Sequence, residues 1–328
     1  MLKEKIKQNK FYILTFLILF SLFLIPLPYY IEKDGGTIST KDRIKIENTE
    51  SSGNFYMAYV SEIKVNIPTY IISLFNKDWT LIPKNEVVLT NETEEDEKFR
   101  SKLLLKESIN NAIASAYTLA HKKYEILNEN YYVTYVDETA ITDLKVQDKI
   151  IKINDTLVNN KIEIANIINN SKIGDTISIE VENKGKTYYR KSTLIEMDGK
   201  PVIGVMLTSE KTIETEPKIV DNFAATESGS SGGLMLALEI YDNITNKNIS
   251  KNRKIAGTGT IDEYGNVGQI GGVKYKLKGV YNDGIKIFLV PNGENYEEAR
   301  EVAKKENLDI QIIGVSTLEE AIKKLEEI

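Results

Sequence analysis

The chain offers one pairing of residues that suits nucleophilic chemistry. A serine stands in the segment SGSSGGLM at 228–235, and a lysine follows two glycines in Gly271-Gly272-Val273-Lys274. The chain has one histidine and no cysteine. A cysteine nucleophile is therefore excluded, and a Ser-His-Asp triad would have to use His121, which lies in a different kind of segment. A serine hydroxyl activated by a lysine amine is the simplest arrangement left.

Ser231 is the predicted nucleophile because it directly precedes the apolar run GGLMLALEIY at 232–241, which is typical of a buried helix. Free backbone N–H groups at a helix N-terminus can stabilise a developing oxyanion. The glycines beside the serine allow a substrate backbone to come close. Ser230 is the alternative nucleophile and otherwise a supporting residue. A plain glycine-serine helix cap is the interpretation without catalysis.

Lys274 is the predicted general base. Residues 255–276 indicate two strands, then a Gly-Gly turn into a helix that starts near Lys274. A lysine beside apolar residues at such a start loses hydration, which lowers its pKa and lets it accept the serine proton. Lys276 is the second candidate for this base. A solvated surface lysine is the interpretation without a catalytic role.

The two segments together resemble the Lon protease family. Its proteolytic domain carries Gly-Pro-Ser-Ala-Gly at the nucleophile and Thr-Gly-x-Ile with Ile-Gly-Gly-x-Lys at the base, and the matching residues here are 229–233, 258–261 and 270–274. The resemblance implies an α/β (α+β Lon-type) proteolytic domain, with Ser231 as nucleophile, Lys274 as base and Thr258 as a supporting hydroxyl near the lysine. The sequence departs from the family at Ser230, where the family has proline, and at Ser228, where many members have an acid.

A second resemblance lies upstream. Residues 126–208 indicate a strand-strand-helix-strand-strand order, and Leu144 to Asn154 resembles the PDZ pattern, with Gln147 where that family has glycine. The resemblance implies a mostly-β PDZ-like domain that binds an extended peptide by adding it to a sheet edge. Tyr131, Tyr132 and Val133 are the predicted peptide-binding residues.

The N-terminus carries an apolar segment. Residues 11–31 contain no charged side chain, and Lys3, Lys5, Lys7 and Lys10 precede them. This pattern predicts one N-terminal transmembrane helix, with the N-terminus in the cytoplasm and the rest of the chain outside the bacterial cytoplasmic membrane. A cleaved signal peptide is the alternative, but the small residues of a cleavage site do not follow the segment.

Composition narrows the remaining function classes. The formal net charge of −6 over 328 residues argues against a nucleic-acid-binding protein. One histidine makes a zinc site improbable, and we expect no metal and no cofactor. Gly185-Lys186-Thr187 lacks the first glycine of a phosphate-binding loop.

The predicted organisation is a tail at 1–10, an anchor at 11–31, a β/α part at 32–125 that packs with the protease domain, the PDZ-like domain at 126–208 and the proteolytic domain at 209–328.

As a whole, the sequence resembles the membrane-anchored PDZ–Lon-type serine proteases of bacteria. That resemblance implies an ATP-independent endopeptidase with a Ser-Lys dyad, whose PDZ-like unit binds or gates substrates. The expected partners are protein or peptide substrates and the lipid bilayer through residues 11–31, and the sequence leaves oligomerisation open. The alternative is a catalytically inactive protease fold that acts as a membrane-tethered PDZ binding protein.

Overall fold

The computed structural model describes residues 9–51, 53–89 and 92–328, so most of the predicted tail lies outside the described residues. The helices are α1 Lys10–Leu24, α2 Ile67–Ser73, α3 Lys84–Val87, α4 Glu94–Leu119, α5 Lys161–Asn169, α6 Gly233–Thr245, α7 Val273–Asn282, α8 Glu294–Glu306 and α9 Leu318–Glu327. The strands are β1 Pro26–Ser39, β2 Ile44–Ile46, β3 Phe55–Asn66, β4 Thr80–Pro83, β5 Tyr124–Val136, β6 Ile141–Thr142, β7 Lys149–Ile153, β8 Thr156–Leu157, β9 Thr176–Asn183, β10 Lys186–Thr193, β11 Ile195–Met197, β12 Lys200–Val202, β13 Val205–Thr215, β14 Ile219–Asp221, β15 Ile255–Gly257, β16 Thr260–Ile261, β17 Val267–Gly268, β18 Ile287–Pro291 and β19 Gln311–Val315.

The predicted anchor divides into two kinds of structure. Helix α1 has 15 residues and ends at Leu24, and strand β1 begins at Pro26. Proline favours an extended conformation in the residue before it, and Ile25 adopts one, so the helix ends there. Ile31, at the predicted end of the anchor, is fully buried in the sheet. The prediction of a transmembrane helix is therefore wrong for residues 26–31, which belong to strand β1. Within the described ranges, no helix has both the length and the apolar character needed to cross a membrane.

A six-stranded sheet joins the two ends of the chain. Its order is β19-β18-β15-β3-β1-β4. Strands β3, β15, β18 and β19 run parallel to one another, while β1 is antiparallel to both of its neighbours. The N-terminal strands and the C-terminal strands therefore share one sheet, although the PDZ-like unit separates them in the sequence.

Apolar side chains alternate between the two faces of this sheet. Phe55 and Met57 of β3 pack in the core that contains α4, α6 and α9. Ala58 lies in a second core, together with apolar residues of α7 and α8. This division follows from the period of two along a strand. Helix α6 is buried from Gly233 to Asp242, as expected for the run after Ser231.

The PDZ-like unit has its own sheet and its own core. The strand order is β13-β5-β7-β9-β10-β6, with β8 paired to β7. Its core includes Val133, Ile153 and Ile179, and each of these is at most 1% exposed. Asp148 is also fully buried, where its carboxylate accepts hydrogen bonds from Arg190 and Asn183. In the sequence this unit lies between α4 and β14.

Candidate active site

The backbone carbonyl groups before and after the Ser231 Cα, those of Ser230 and Ser231, are fixed by hydrogen bonds. The Ser231 carbonyl accepts from the backbone N–H of Gly259 at 2.7 Å and from Thr258 Oγ1 at 3.0 Å. The Ser230 carbonyl accepts from Ser108 Oγ at 2.9 Å and from the N–H of Gly233 at 3.3 Å. The backbone that carries the Ser231 side chain is therefore held from both sides.

The same loop presents free donors. The backbone N–H groups of Ser230, Ser231 and Gly232 donate to no residue that the structure describes, and α6 has no side-chain cap. Unpaired N–H groups at a helix N-terminus, together with the helix dipole, favour negative charge. The loop therefore has the donors that a tetrahedral oxyanion requires.

Two glycines allow α6 to pack closely at this point. A Cβ at Gly232 would lie 2.6 Å from Met57 Sδ. A Cβ at Gly233 would lie 2.6 Å from Ser108 Oγ and 2.9 Å from a side-chain carbon of Ile261. Larger residues would push the start of the helix away from β3 and α4. The glycines are therefore explained by packing around the loop, in addition to any approach of a substrate.

Ser231 lines a cavity of about 1220 Å³. The walls come from β1, β3, α4 and the loop before α6, and Lys276 of α7 also lines the cavity. A volume of this size exceeds the roughly 300–1,000 Å³ of ordinary small-molecule sites. The cavity therefore suits a segment of polypeptide better than a small metabolite.

Lys276 is a buried amine in this cavity. It is 4% exposed, and its amine makes no hydrogen bond or ion pair with a described residue. Burial lowers its pKa from 10.5 to about 8, against the opposing attraction of Glu32. About a tenth of the amine is then neutral at pH 7, and the neutral amine is the form that accepts a proton.

Lys274, the predicted base, does not line this cavity. Its backbone N–H donates to Glu298 at 3.2 Å, and its Nζ lies 5.2 Å from the centre of the Tyr275 ring. Residues two apart on a helix are rotated by about 200° around its axis, so their side chains point in nearly opposite directions. Lys276 and Lys274 therefore face different surroundings, and Lys276, the second candidate, lines the same cavity as Ser231.

A sequence signal for Lys276 existed in the spacing of α7. Val273 and Val280 are fully buried, and Lys276 stands three residues after the first and four before the second. That spacing places all three on one helix face. Motif position alone favoured Lys274, while the apolar stripe favours Lys276.

Thr258 and Ser230 both act on the serine loop. Thr258 is fully buried and donates to the Ser231 carbonyl, so its hydrogen bond in the structure is to the serine loop, and its support of the lysine stays a prediction. Ser230 contributes its fixed carbonyl and its free N–H group. His121 is exposed beyond the end of α4 with φ 54°, away from the cavity.

The predicted peptide-binding strand is not at an edge of its sheet. Tyr131 and Tyr132 in β5 pair with β7 on one side and with β13 on the other, and Val133 also pairs with β13. Tyr131 is 5% exposed and Val133 fully buried. Because both edges of β5 are occupied, a peptide cannot add to it there, and this corrects the expectation.

Helix α4 contacts both the PDZ-like unit and the serine loop, and no local pattern in the sequence indicates this. Glu107 Oε1 accepts from the backbone N–H of Ser209 at 3.3 Å, and the amide of Asn110 donates to the Lys211 carbonyl at 3.0 Å. Ser108, next to Glu107, holds the Ser230 carbonyl. Consecutive residues of α4 thus bind β13 and the serine loop.

No group of residues suited to holding a metal ion occurs in the described part of the chain.

Comparison with known proteins finds similarity in the part of the chain that contains Ser231 and Lys276. Residues 218–327 match the family model described as the Lon protease (S16) C-terminal proteolytic domain. The chain is 34% identical over 100 residues to the Lon protease of Lachnoclostridium phytofermentans, which is 30% of this chain and 12% of that protein. It is 29% identical over 126 residues to the Lon protease of Desulfatibacillum aliphaticivorans, which is 36% of this chain and 15% of that protein. The chain thus spans less than a sixth of the length of these relatives.

Solved PDZ domains are also similar to about a quarter of this chain. The PDZ domain of an SdrC-like protein from Listeria monocytogenes is 24% identical and covers 25% of this chain and 92% of its own, with a TM-score of 0.23. The corresponding PDZ domain from Listeria innocua is 27% identical and covers 24% of this chain and 92% of its own, also with a TM-score of 0.23. The chain is therefore similar to Lon protease in its C-terminal third, and its structural neighbours include PDZ domains.

Proposed function

We propose that this protein is a serine endopeptidase in which Ser231 is the nucleophile and Lys276 the general base. The observation that carries the proposal is that both side chains line one cavity, with a lysine whose pKa burial lowers to about 8. The similarity of residues 218–327 to a Lon-type proteolytic domain supports peptide hydrolysis as the reaction. Lys276 takes the role that the sequence interpretation gave to Lys274.

The proposed reaction has two halves. Ser231 Oγ bonds to the carbonyl carbon of the substrate while its proton moves to the neutral Lys276 amine, and the N–H groups of Ser230, Ser231 and Gly232 stabilise the oxyanion. The C–N bond then breaks, and the leaving amine takes the proton from Lys276. Water attacks the resulting ester with Lys276 again accepting a proton, which releases the second product and restores the serine.

The cavity wall supports a substrate in extended conformation. On one edge of β3, strand β15 covers only Phe55 to Met57, and beyond Met57 no described strand pairs with that edge. Ala58 to Glu62 of this open edge line the cavity. A peptide that adds there gains backbone hydrogen bonds without regard to sequence. We therefore propose protein or peptide substrates, cleaved without ATP, as the resemblance to the PDZ–Lon-type serine proteases implies.

Cleavage of casein by the purified full chain in detergent, without ATP, tests the proposal. Ser231→Ala is expected to lower the rate by about a thousandfold or more, because the acyl-enzyme can no longer form. Ser228→Ala, a matched loss of one hydroxyl in the same loop, should keep most of the activity. Equal cleavage by wild type and Ser231→Ala would overturn the assignment, and an inactive wild type would favour the alternative of a binding protein.

The location outside the cytoplasmic membrane stays a prediction of the sequence. Its support is the uncharged segment from Phe11 and the lysines that precede it. A role of the PDZ-like unit in binding or gating substrates is likewise a proposal. Its support is the contact of α4 with both β13 and the serine loop.

A further inference from the structure

Two carboxylates face each other in the wall of the cavity. Glu32 of β1 is the direct cross-strand partner of Glu62 of β3, and both line the cavity that contains Ser231 and Lys276. Neither carboxylate accepts a hydrogen bond or an ion pair from a described residue. Like charges directly opposite each other on antiparallel strands destabilise a sheet. This arrangement therefore leaves a place for a cation.

Two of the four other acidic residues in the same wall have cationic partners, whereas Glu86 and Glu97 form no ion pair with a described residue. Glu94 pairs with Lys64 and with Lys84, and Glu227 pairs with Arg43 at 2.7 Å. Glu32 and Glu62 differ from these two. The cavity wall desolvates both carboxyls and raises the pKa of each, and for Glu62 the charges of Glu32 and Glu97 add to this effect.

Lys276 is a second sign that the cavity receives a ligand. The residue is 4% exposed and its amine forms no hydrogen bond or ion pair with a described residue, although Glu32 is close enough to attract it. In the proposed reaction this amine must be neutral when the serine attacks, so it cannot also serve as the permanent counter-ion of the two carboxylates. A cation that arrives with the substrate can balance the two carboxylates while the Lys276 amine stays neutral.

We propose that Glu32 and Glu62 form a subsite for a lysine or arginine side chain of the substrate. The proposal rests on the proposed function and names its substrate class, which is peptides with a basic residue near the cleaved bond. The bound cation neutralises the cross-strand repulsion. It also offsets the charge of Glu32, which otherwise favours protonation of Lys276, so a basic substrate makes the amine a more available base.

Binding can be measured apart from cleavage by using Ser231→Ala, which keeps the cavity but cannot form the acyl-enzyme. Mass spectrometry of casein digests first identifies a bond that the wild type cuts, and fluorescent peptides spanning it then carry lysine, arginine, norleucine or glutamate at each flanking position. At one position the lysine or arginine peptide is expected to bind at least about tenfold more tightly than the norleucine peptide, as hydrogen bonds to charged groups provide.

The variant Glu62→Gln keeps the shape of the subsite and removes one charge. It should reduce the preference for the basic peptide to about threefold or less, in binding and in kcat/KM, while norleucine peptides are still cut. Glu86→Gln removes a carboxylate from the same cavity wall and should preserve the preference. Equal binding of lysine and norleucine peptides, or an unchanged preference in Glu62→Gln, would overturn the subsite but leave the protease intact. Failure of the wild type to cut any bond of casein would instead overturn the proposed function.

Discussion

Replacing Lys276 with methionine is expected to lower kcat/KM for peptide hydrolysis by about a thousandfold or more. General-base catalysis contributes on the order of a hundred- to ten-thousandfold, and without the amine the cavity loses the base that the proposal assigns to the serine proton. Methionine is apolar and close in length to the lysine stem, so it fills the same space without accepting a proton. Steady-state cleavage of a quenched peptide measures the effect.

Lys274→Met is the matched control, because it makes the same change two residues earlier on the same helix. Lys274 does not line the cavity, so its kcat/KM should stay within about threefold of the wild type. If Lys274→Met were inactive and Lys276→Met active, the motif position would be right and the assignment from the cavity wrong.

The same Lys276→Met substitution is expected to stabilise the fold by about 3 kcal/mol at pH 7. The pKa of Lys276 falls from 10.5 to about 8 on folding, and each unit corresponds to about 1.4 kcal/mol of preference for the neutral form. Below pH 8 the amine is protonated in both states, and the folded state bears the full cost of the buried charge. Urea unfolding followed by circular dichroism measures the difference.

The pH dependence has a definite sign. Between about pH 8 and pH 10.5 the unfolded chain binds more protons at this position than the folded chain, so the stability of the wild type should rise with pH across that window. The advantage of Lys276→Met should then shrink as pH approaches 10.5. A variant that is no more stable than the wild type at pH 7 would show that the amine is well solvated, which would remove the physical basis for its role as a base.

Lower activity and higher stability in the same Lys276→Met variant would show that this lysine raises reactivity at a cost in stability. The burial that makes Lys276 a base also makes it a destabilising residue, and such compromises are common at active sites. A lysine kept only for structure would show the opposite pattern, because its removal would lower stability.

The position of Ser231, the proposed nucleophile, just before a buried helix could be predicted from the sequence because its signals are local. Glycines and serines before an apolar run of helical length indicate a buried helix with an open N-terminus, and Ser231 stands there. The base could not be chosen by motif position, because Lys274 and Lys276 differ only in the face of α7 that they occupy. Packing against the sheet decides that face, and only the spacing of Val273 and Val280 hints at it.

Long-range pairing explains the other differences. Residues 26–31 are apolar enough to continue a helix, yet Pro26 starts a strand whose partners, β3 and β4, lie far along the chain. The strand of Tyr131 is similarly internal only because β13, more than seventy residues later, covers one of its edges. Local composition does not contain this information. The subsite of Glu32 and Glu62 has the same origin, since it depends on the register between two strands.

The most direct test of the Ser231–Lys276 pair is the rate at which a fluorophosphonate modifies Ser231 between pH 6 and pH 9.5. Intact-mass spectrometry follows the modification, and peptide mapping confirms the residue. The account predicts a rate that rises about tenfold per pH unit at low pH, with a midpoint near the Lys276 pKa of about 8. It also predicts very slow modification of Lys276→Met at every pH. A rate that does not change with pH, or an equal rate in Lys276→Met, would contradict the assignment of Lys276 as the base.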